Sequence, residues 1–232
     1  MKFEDTKILV AVLDYPYLES ECVASIMGMW EYSKWTCPGS KYPRNDVEVM
    51  ITNSTSPARA HNKAIRMFLE DPKGYKSLMI IGRDHIFRPD ALQRLFEADK
   101  DIITGISTVR LKSFEELKNP IYSVVSDWKK DGKITTLTKR ECIQKIEEQK
   151  WEPWEVPVTG NGVSLMKRKV LERMEQPWVY EPPAPEVVDG KRGTIGCDIV
   201  LCTKAKELGF KIWVHPGVQY VHIGRSYTSV AY

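Results

Sequence analysis

No apolar run in this chain reaches the length that a membrane span needs. The start, MKFEDTKILVAVL, has acids ahead of a short apolar run and no small-residue cleavage site, so no signal peptide is expected. Cysteine is sparse: Cys22, Cys37, Cys142, Cys197 and Cys202 make an odd count of 5 with no CxxC pair. That argues against a zinc knuckle or a disulfide framework and leads to the expectation of a reduced, cytoplasmic protein. Net charge is only +3, too little to suggest a nucleic-acid partner. No GxGxxG follows the first apolar strand and no Walker A loop occurs, so the dinucleotide and P-loop fingerprints are absent. Internal repeats and low-complexity segments are absent too.

What is present is an ordinary globular balance, 42% hydrophobic and 28% charged over 232 residues, enough for a sizeable core. The 7 tryptophans are many for this length, and several lie in polar, Pro-rich stretches, which hints at a binding surface. Lys7 to Leu13 reads as a buried strand. A helix over Leu18 to Tyr32 follows, with Val23, Ile26, Met27 and Trp30 as its inner stripe. Val47 to Thr52 is a second strand, running into the turn and cap cluster Asn53 to Pro57. Helix Ala58 to Glu70 has Ala60, Ala64, Met67 and Phe68 inward. A strand at Leu78 to Gly82, a helix at Ala91 to Ala98 and a strand at Asp101 to Ile106 complete a β-α-β-α-β-α-β alternation. Such alternation predicts a mostly parallel sheet with helices on both faces.

The second half changes character. Ile121 to Val125 and Lys133 to Leu137 read as strands around a turn at Asp131-Gly132, and Thr138 to Gln149 has weak helical periodicity. Trp151 to Pro157 is extended and punctuated by proline. Val158 to Met166 reads as a strand containing Gly160 and Gly162, where a backbone or ligand would approach closely. A short helix spans Lys167 to Met174. Pro177 to Gly193, rich in Pro and Gly, reads as a mobile loop. Helix Ile195 to Leu208 ends at Gly209, and strands Lys211 to Val214 and Val218 to Ile223 flank His215-Pro216-Gly217.

Chemistry concentrates first in Ser77 to Asp90. A buried strand ends there in Arg83, Asp84 and His85, at the carboxyl end where open α/β sheets bind ligands. Asp84 is a good hard-cation ligand, whereas His85 beside it reads as a turn residue. His222 lies on the last strand, where a lone histidine is ordinarily a partly buried structural residue. Asp198 opens a helix, where the dipole favours an acid; a general base is the functional alternative, with the Pro/Gly loop as its lid. Arg59 and Asn62, in the first turn of their helix, suit a diphosphate.

Taken in order, these pieces resemble the GT-A glycosyltransferases, in particular the family 2-like nucleotide-sugar transferases. The resemblance rests on Leu13-Asp14-Tyr15 after the first strand, Arg59 to Asn62, and Ile80 to Leu92 in place of a DxD strand and its Phe-x-Pro-Asp-Ala-Leu helix start. It continues through Asp99 to Ile106, Gly160 to Leu165 before Lys167 to Leu171, Cys197-Asp198, Ala205 to Pro216, and His222-Ile223-Gly224. It implies a GT-A (Rossmann-like) α/β/α sandwich with a mostly parallel central sheet and a smaller acceptor-side β region. It also implies a single domain over 1–232, split into a nucleotide-binding half (1–110) and an acceptor-binding half (111–232). The resemblance makes Asp84 the second Asp of DxD and His222 the late histidine of the metal site, together holding Mn2+ or Mg2+ and the diphosphate. Asp198 becomes the catalytic Asp. Donor contacts are expected from Leu13, Asp14, Tyr15, Asn53, Arg59, Asn62, Arg83 and the Gly160-Asn161-Gly162 stretch. Gly82 stands where the first Asp of DxD belongs, and Cys197 where a Glu precedes the catalytic Asp.

Glycosyl transfer needs these parts. The departing diphosphate gains charge that a divalent cation and basic or amide donors offset, and the acceptor hydroxyl needs a carboxylate to take its proton. Trp151, Trp154 and Trp178 are candidates to stack on sugar faces, or equally to pack beneath loops. The implied partners are a nucleotide-sugar donor, a uridine diphosphate sugar above others, and an acceptor hydroxyl whose parent (glycan, lipid-linked or protein) is left open. Two alternatives stay beside the transferase. One is a nucleotide-sugar or glycan-binding module that has lost catalysis, suggested by Gly82 and Cys197. The other is a nucleotidyltransferase, against which stands the lack of a Gly-rich loop after the first strand.

Overall fold

The computed structural model describes residues 7–14, 18–34, 46–107, 126–128, 134–181, 187–188, 191–192 and 196–223. Strands β1 (Lys7–Asp14), β2 (Asp46–Asn53), β3 (Ser77–Gly82), β4 (His85–Phe87), β5 (Ile102–Ser107), β8 (Trp154–Val156), β9 (Val163–Lys167) and β12 (Ile212–His222) form one sheet. Its order is β2-β1-β3-β9-β5-β12-β4, with β8 also pairing β12. β2, β1, β3, β5 and β12 run one way, and β9, β8 and β4 run against them. β6 (Ser126–Trp128) and β7 (Ile134–Thr136) pair as a separate hairpin, and β10 (Val187–Val188) with β11 (Lys191–Arg192) as another. The helices are α1 (Ser20–Lys34), α2 (Pro57–Glu70), α3 (Ala91–Glu97), α4 (Lys139–Glu148), α5 (Arg168–Arg173) and α6 (Cys197–Glu207).

The period-two alternation of β1 builds the layers. Leu9, Ala11 and Leu13 point into one core layer with α2, α5 and α6, while Ile8, Val10 and Val12 point into the other with α1 and α3. A strand covered on both faces must be apolar over most of its length, as β1 is from Ile8 to Leu13 and β3 from Leu78 to Ile81. The expected α/β/α sandwich is the observed architecture. Ser56 caps α2 with its hydroxyl accepting from Arg59 N at 3.4 Å, and Pro57 occupies the first turn.

Several local expectations change. The inner stripe of α1 is Cys22, Ser25, Ile26 and Met29, with Met27 60% exposed and Trp30 outward too. On α2, Met67 faces solvent and Ala58, His61 and Ile65 join the buried face. In both helices the apolar residues outnumber what one face can hold, so the sheet selects among them. Gly160 and Gly162 precede β9 rather than lying within a strand. The expected pair of last strands is one strand, β12, whose ladder to β5 breaks between His215 and Gln219. Pro216 lacks an N–H to donate there, so a bulge forms instead of a turn. The early strand expected at Ile121 to Val125 lies outside the described residues, as do 182–186, 189–190 and 193 of the loop expected to be mobile; its described part holds the β10–β11 hairpin. Trp154 and Trp178 are core residues, the latter donating from Nε1 to Leu171 O at 2.9 Å, while Trp151 is exposed.

Candidate functional site

Strand register sets the site. β1 pairs Asp14 with Asn53 of β2 and Leu13 with Gly82 of β3, so these four residues line one carboxyl edge of the sheet. Gly82 N donates to Gly162 O at 2.8 Å, which brings the start of antiparallel β9 to the same edge. α2 begins just beyond β2, and Asp198 at the start of α6 is near enough to Tyr220 of β12 to act on its phenol.

The turn at Arg83 and Asp84 lets the chain leave β3 and re-enter the sheet as β4. β4 pairs antiparallel with the end of β12, His222 opposite His85, and Ile223 N donates to Asp84 O at 2.8 Å. Asp84 and His222, 138 positions apart, therefore meet: His222 Nε2 lies 3.0 Å from Asp84 Oδ2. His85, set aside as a turn residue, is the third member. Its Nδ1 is 3.4 Å from Asp84 Oδ1, and its ring stacks on His222 with centroids 4.5 Å apart. Ligand atoms of all three fall within 4.8 Å of one another. Asp84 and His85 are buried at 5% and 7% exposure, so the cluster is held rigidly while His222 opens toward solvent.

Two glycines make room for that imidazole. A Cβ on Gly82 would overlap His85 Nδ1, and one on Gly162 would overlap His85 Nε2. The ring therefore occupies the volume that a side chain at position 82 would need. Sequence reading missed His85 because the absent first carboxylate drew attention to what position 82 lacks. The available signal was a glycine at the carboxyl end of a buried strand, three residues before a histidine.

The remaining candidates divide. Asn161 is buried, and neither end of its amide has a hydrogen-bond partner among the described residues. A buried amide left so is uncommon. Asp14 has one buried carboxylate oxygen likewise without a partner, while its carbonyl accepts from Ser54 N. Leu13 is core, so only its backbone can face a ligand. Lys63 Nζ donates to Asn53 O at 3.4 Å. Arg59 is exposed at the first turn of α2, its guanidinium 3.3 Å from Thr55 Oγ1. Arg83 is half-buried in the turn beside Asp84. Tyr15 lies outside the described residues. Asn62 differs from the expected donor contact. Its amide donates to Ala58 O and Val179 O and accepts from Val179 N, pinning the segment before the Pro-rich loop to α2.

Asp198 occupies the first turn of α6, with Oδ1 accepting from Ile199 N at 2.9 Å. Burial raises its carboxyl from the ordinary value, while the Ile199 amide and the His61 ring oppose that rise. The two parts of the edge meet at Tyr220. Its ring packs edge-on to His85 at 5.1 Å, and its phenol, pushed up to about 12 mainly by burial, also feels the Asp198 charge.

With that geometry in view, comparison with solved structures is decisive for architecture. Protein A197 from STIV superposes with a TM-score of 0.52 at 16% identity, over 94% of this chain and 86% of that one. GalNAc-T7, whose structure was determined with UDP, GalNAc and Mn2+, superposes with a TM-score of 0.58 at 12% identity, over 96% of this chain. The fold is GT-A-like. The chain spans 44% of the GalNAc-T7 chain, so the likeness concerns one part of that protein. No family model and no curated protein sequence matches this chain. No helix among the described residues is long and apolar enough to cross a membrane.

Proposed function

We propose that this protein is a metal-dependent glycosyltransferase that moves a sugar from a nucleotide-diphosphate donor, a uridine diphosphate sugar above others, to an acceptor hydroxyl. The observation that carries this reading is the meeting of Asp84, His85 and His222 at the carboxyl edge of a GT-A-like sheet. The likeness to a protein solved with UDP, GalNAc and Mn2+ supports the donor class.

The donor set fits a divalent transition metal. One carboxylate and two imidazoles suit manganese better than magnesium, which prefers oxygen ligands throughout. Asp84 and His222 would hold the cation, with His85 as the third protein ligand; when bound it would supply charge to offset the departing diphosphate. The protein groups do the rest. Asp14, Asn53, Arg59, Arg83 and Asn161 would orient donor nucleotide and phosphates, and the half over 111–232 would bring the acceptor to Asp198. A half-buried carboxylate whose hold on a proton is raised by desolvation is a competent base for a hydroxyl proton.

Titrating the protein with Mn2+ and then UDP, by calorimetry, tests the reading. UDP affinity is expected to rise with Mn2+ and to fall at least tenfold in Asp84→Ala. UDP binding that ignores both Mn2+ and Asp84 would sink the proposal. Release of free UDP from a UDP-sugar then separates an enzyme from a binding module.

A further inference from the structure

Two of the three ligands in the Asp84, His85 and His222 cluster are imidazoles, and position 82 is the reason. Gly82 ends β3 without a side chain, and the His85 ring fills the space. A Cβ at 82 would overlap His85 Nδ1, and one at 162 would overlap Nε2. An acid at position 82 would exclude that ring, so here a nitrogen ligand stands in the volume of an oxygen ligand. The ring is well fixed. It is 7% exposed, stacks on His222 with centroids 4.5 Å apart, and meets Tyr220 edge-on at 5.1 Å.

The spacing suits one small ion. Asp84 turns each carboxylate oxygen to a different imidazole: Oδ2 lies 3.0 Å from His222 Nε2, and Oδ1 lies 3.4 Å from His85 Nδ1. Two ligand atoms on one tetrahedral zinc, with bonds of about 2.0–2.1 Å, stand about 3.3 Å apart. His222, whose side chain is 26% exposed, is the member with room to close the third side. Cys22 Sγ donates to Gly82 O at 3.4 Å, so its hydrogen is turned to the β3 carbonyl and not to the cluster. Three protein ligands leave a position open, as at exchangeable sites and unlike closed structural ones. Oxygen ligands suit magnesium and manganese, imidazoles suit zinc, and affinity at mixed nitrogen and oxygen sites rises from manganese to zinc.

We propose that this cluster is a zinc-preferring site, that His85 sets the preference, and that zinc displaces manganese from it. The proposal rests on the metal site of the transferase reading above and not on transfer itself. Ligand atoms all within 4.8 Å of one another hold one ion at a time, so the two metals compete. Zinc supply then regulates how much of the protein carries manganese.

Calorimetry of the full chain with Mn2+ and with Zn2+, without nucleotide, tests this. Zn2+ is expected to bind about tenfold tighter than Mn2+ or more. Paramagnetic resonance of released Mn2+ should show that equimolar Zn2+ expels most of the bound ion. His85→Asn should shrink the zinc-over-manganese ratio roughly tenfold, whereas Asp84→Asn should weaken both metals and leave the ratio within about threefold. Mn2+ binding as tightly as Zn2+, or a ratio that ignores His85→Asn, overturns the proposal. Nitrogen NMR of the unaltered, histidine-labelled chain reads ligation even if His85→Asn does not fold. Of the 4 histidines, Zn2+ should shift ring nitrogens of two, and shifts in one or none overturn the proposal. UDP affinity that ignores Mn2+ sinks the transferase reading alone, since the metal preference is read without UDP. Failure of either metal to bind at all sinks both.

Discussion

Gly82 stands where a first carboxylate would be expected, and the His85 ring stands where its side chain would go. Restoring the acid is therefore expected to harm the site. Gly82→Asp must displace a buried ring held between Gly82 and Gly162, and overpacking of this kind costs about 1–3 kcal/mol. Urea unfolding should show that loss, and calorimetry should show weaker Mn2+ binding; tighter binding would mean that His85 yields its place at no cost. Asn161 invites the opposite trade. Replacing a buried, unpartnered amide by an apolar group of similar size, Asn161→Leu, should raise stability by about 1 kcal/mol while UDP no longer shifts the melting temperature. At this scale the sequence was readable for Asp84, whose place at the end of a buried strand is a local fact. It was less readable for His85. Residues in succession along a strand face opposite ways, and nothing local says that the chain turns at Arg83 and Asp84 to bring both side chains into one cluster.

Among the elements, the β4–β12 ladder does the assembling. His222 reaches Asp84 because β12 continues past its pairing with β5, which ends at Ser107 and Tyr220, to pair with β4. The hydrogen bond from Ile223 N to Asp84 O, 2.8 Å, extends that ladder to the Asp84, His85 and His222 cluster itself. Ile223→Pro removes the donor without touching a ligand. It should weaken Mn2+ binding at least tenfold by calorimetry with a much smaller effect on the unfolding midpoint; unchanged affinity would show that Asp84 and His222 are placed by side-chain packing alone. The same scale explains what hydrophobic pattern could and could not reveal. The alternation through Ile106 gives the parallel strands β1, β2, β3 and β5 by period and length. The insertion of antiparallel β9 between β3 and β5 is a long-range pairing with no local signature. Its consequence, Gly162 against His85, was out of reach for the same reason. The joined strand β12 is hidden by Pro216-Gly217, a dipeptide that signals a turn but here makes a bulge.

Across the whole molecule, the start of α6 holds a carboxylate whose charge folding disfavours at neutral pH, and stability depends on pH accordingly. Burial raises the Asp198 carboxyl, so the folded protein holds that proton more tightly than the unfolded chain. Between the unfolded value near 3.8 and the raised folded value, the folded state binds more protons. Stability therefore falls as pH rises through that window and stays lower above it. His61 has the opposite sign. Its folded value lies below the unfolded 6.5, so the folded state binds fewer protons, and the stability it contributes is present above 6.5 and lost as pH falls through the folded value. Asp198→Asn carries no ionisation and should be more stable than the unaltered protein at pH 7, the gap closing as pH is brought below about 3.8. His61→Gln should flatten the loss on acidification below 6.5. Urea unfolding from pH 3.5 to pH 8 on both variants reads the two effects separately. A less stable Asp198→Asn at pH 7 would mean that the carboxylate contributes to holding α6 in place. A more stable one, paired with lost transfer, is the signature of a group kept for chemistry at the expense of the fold.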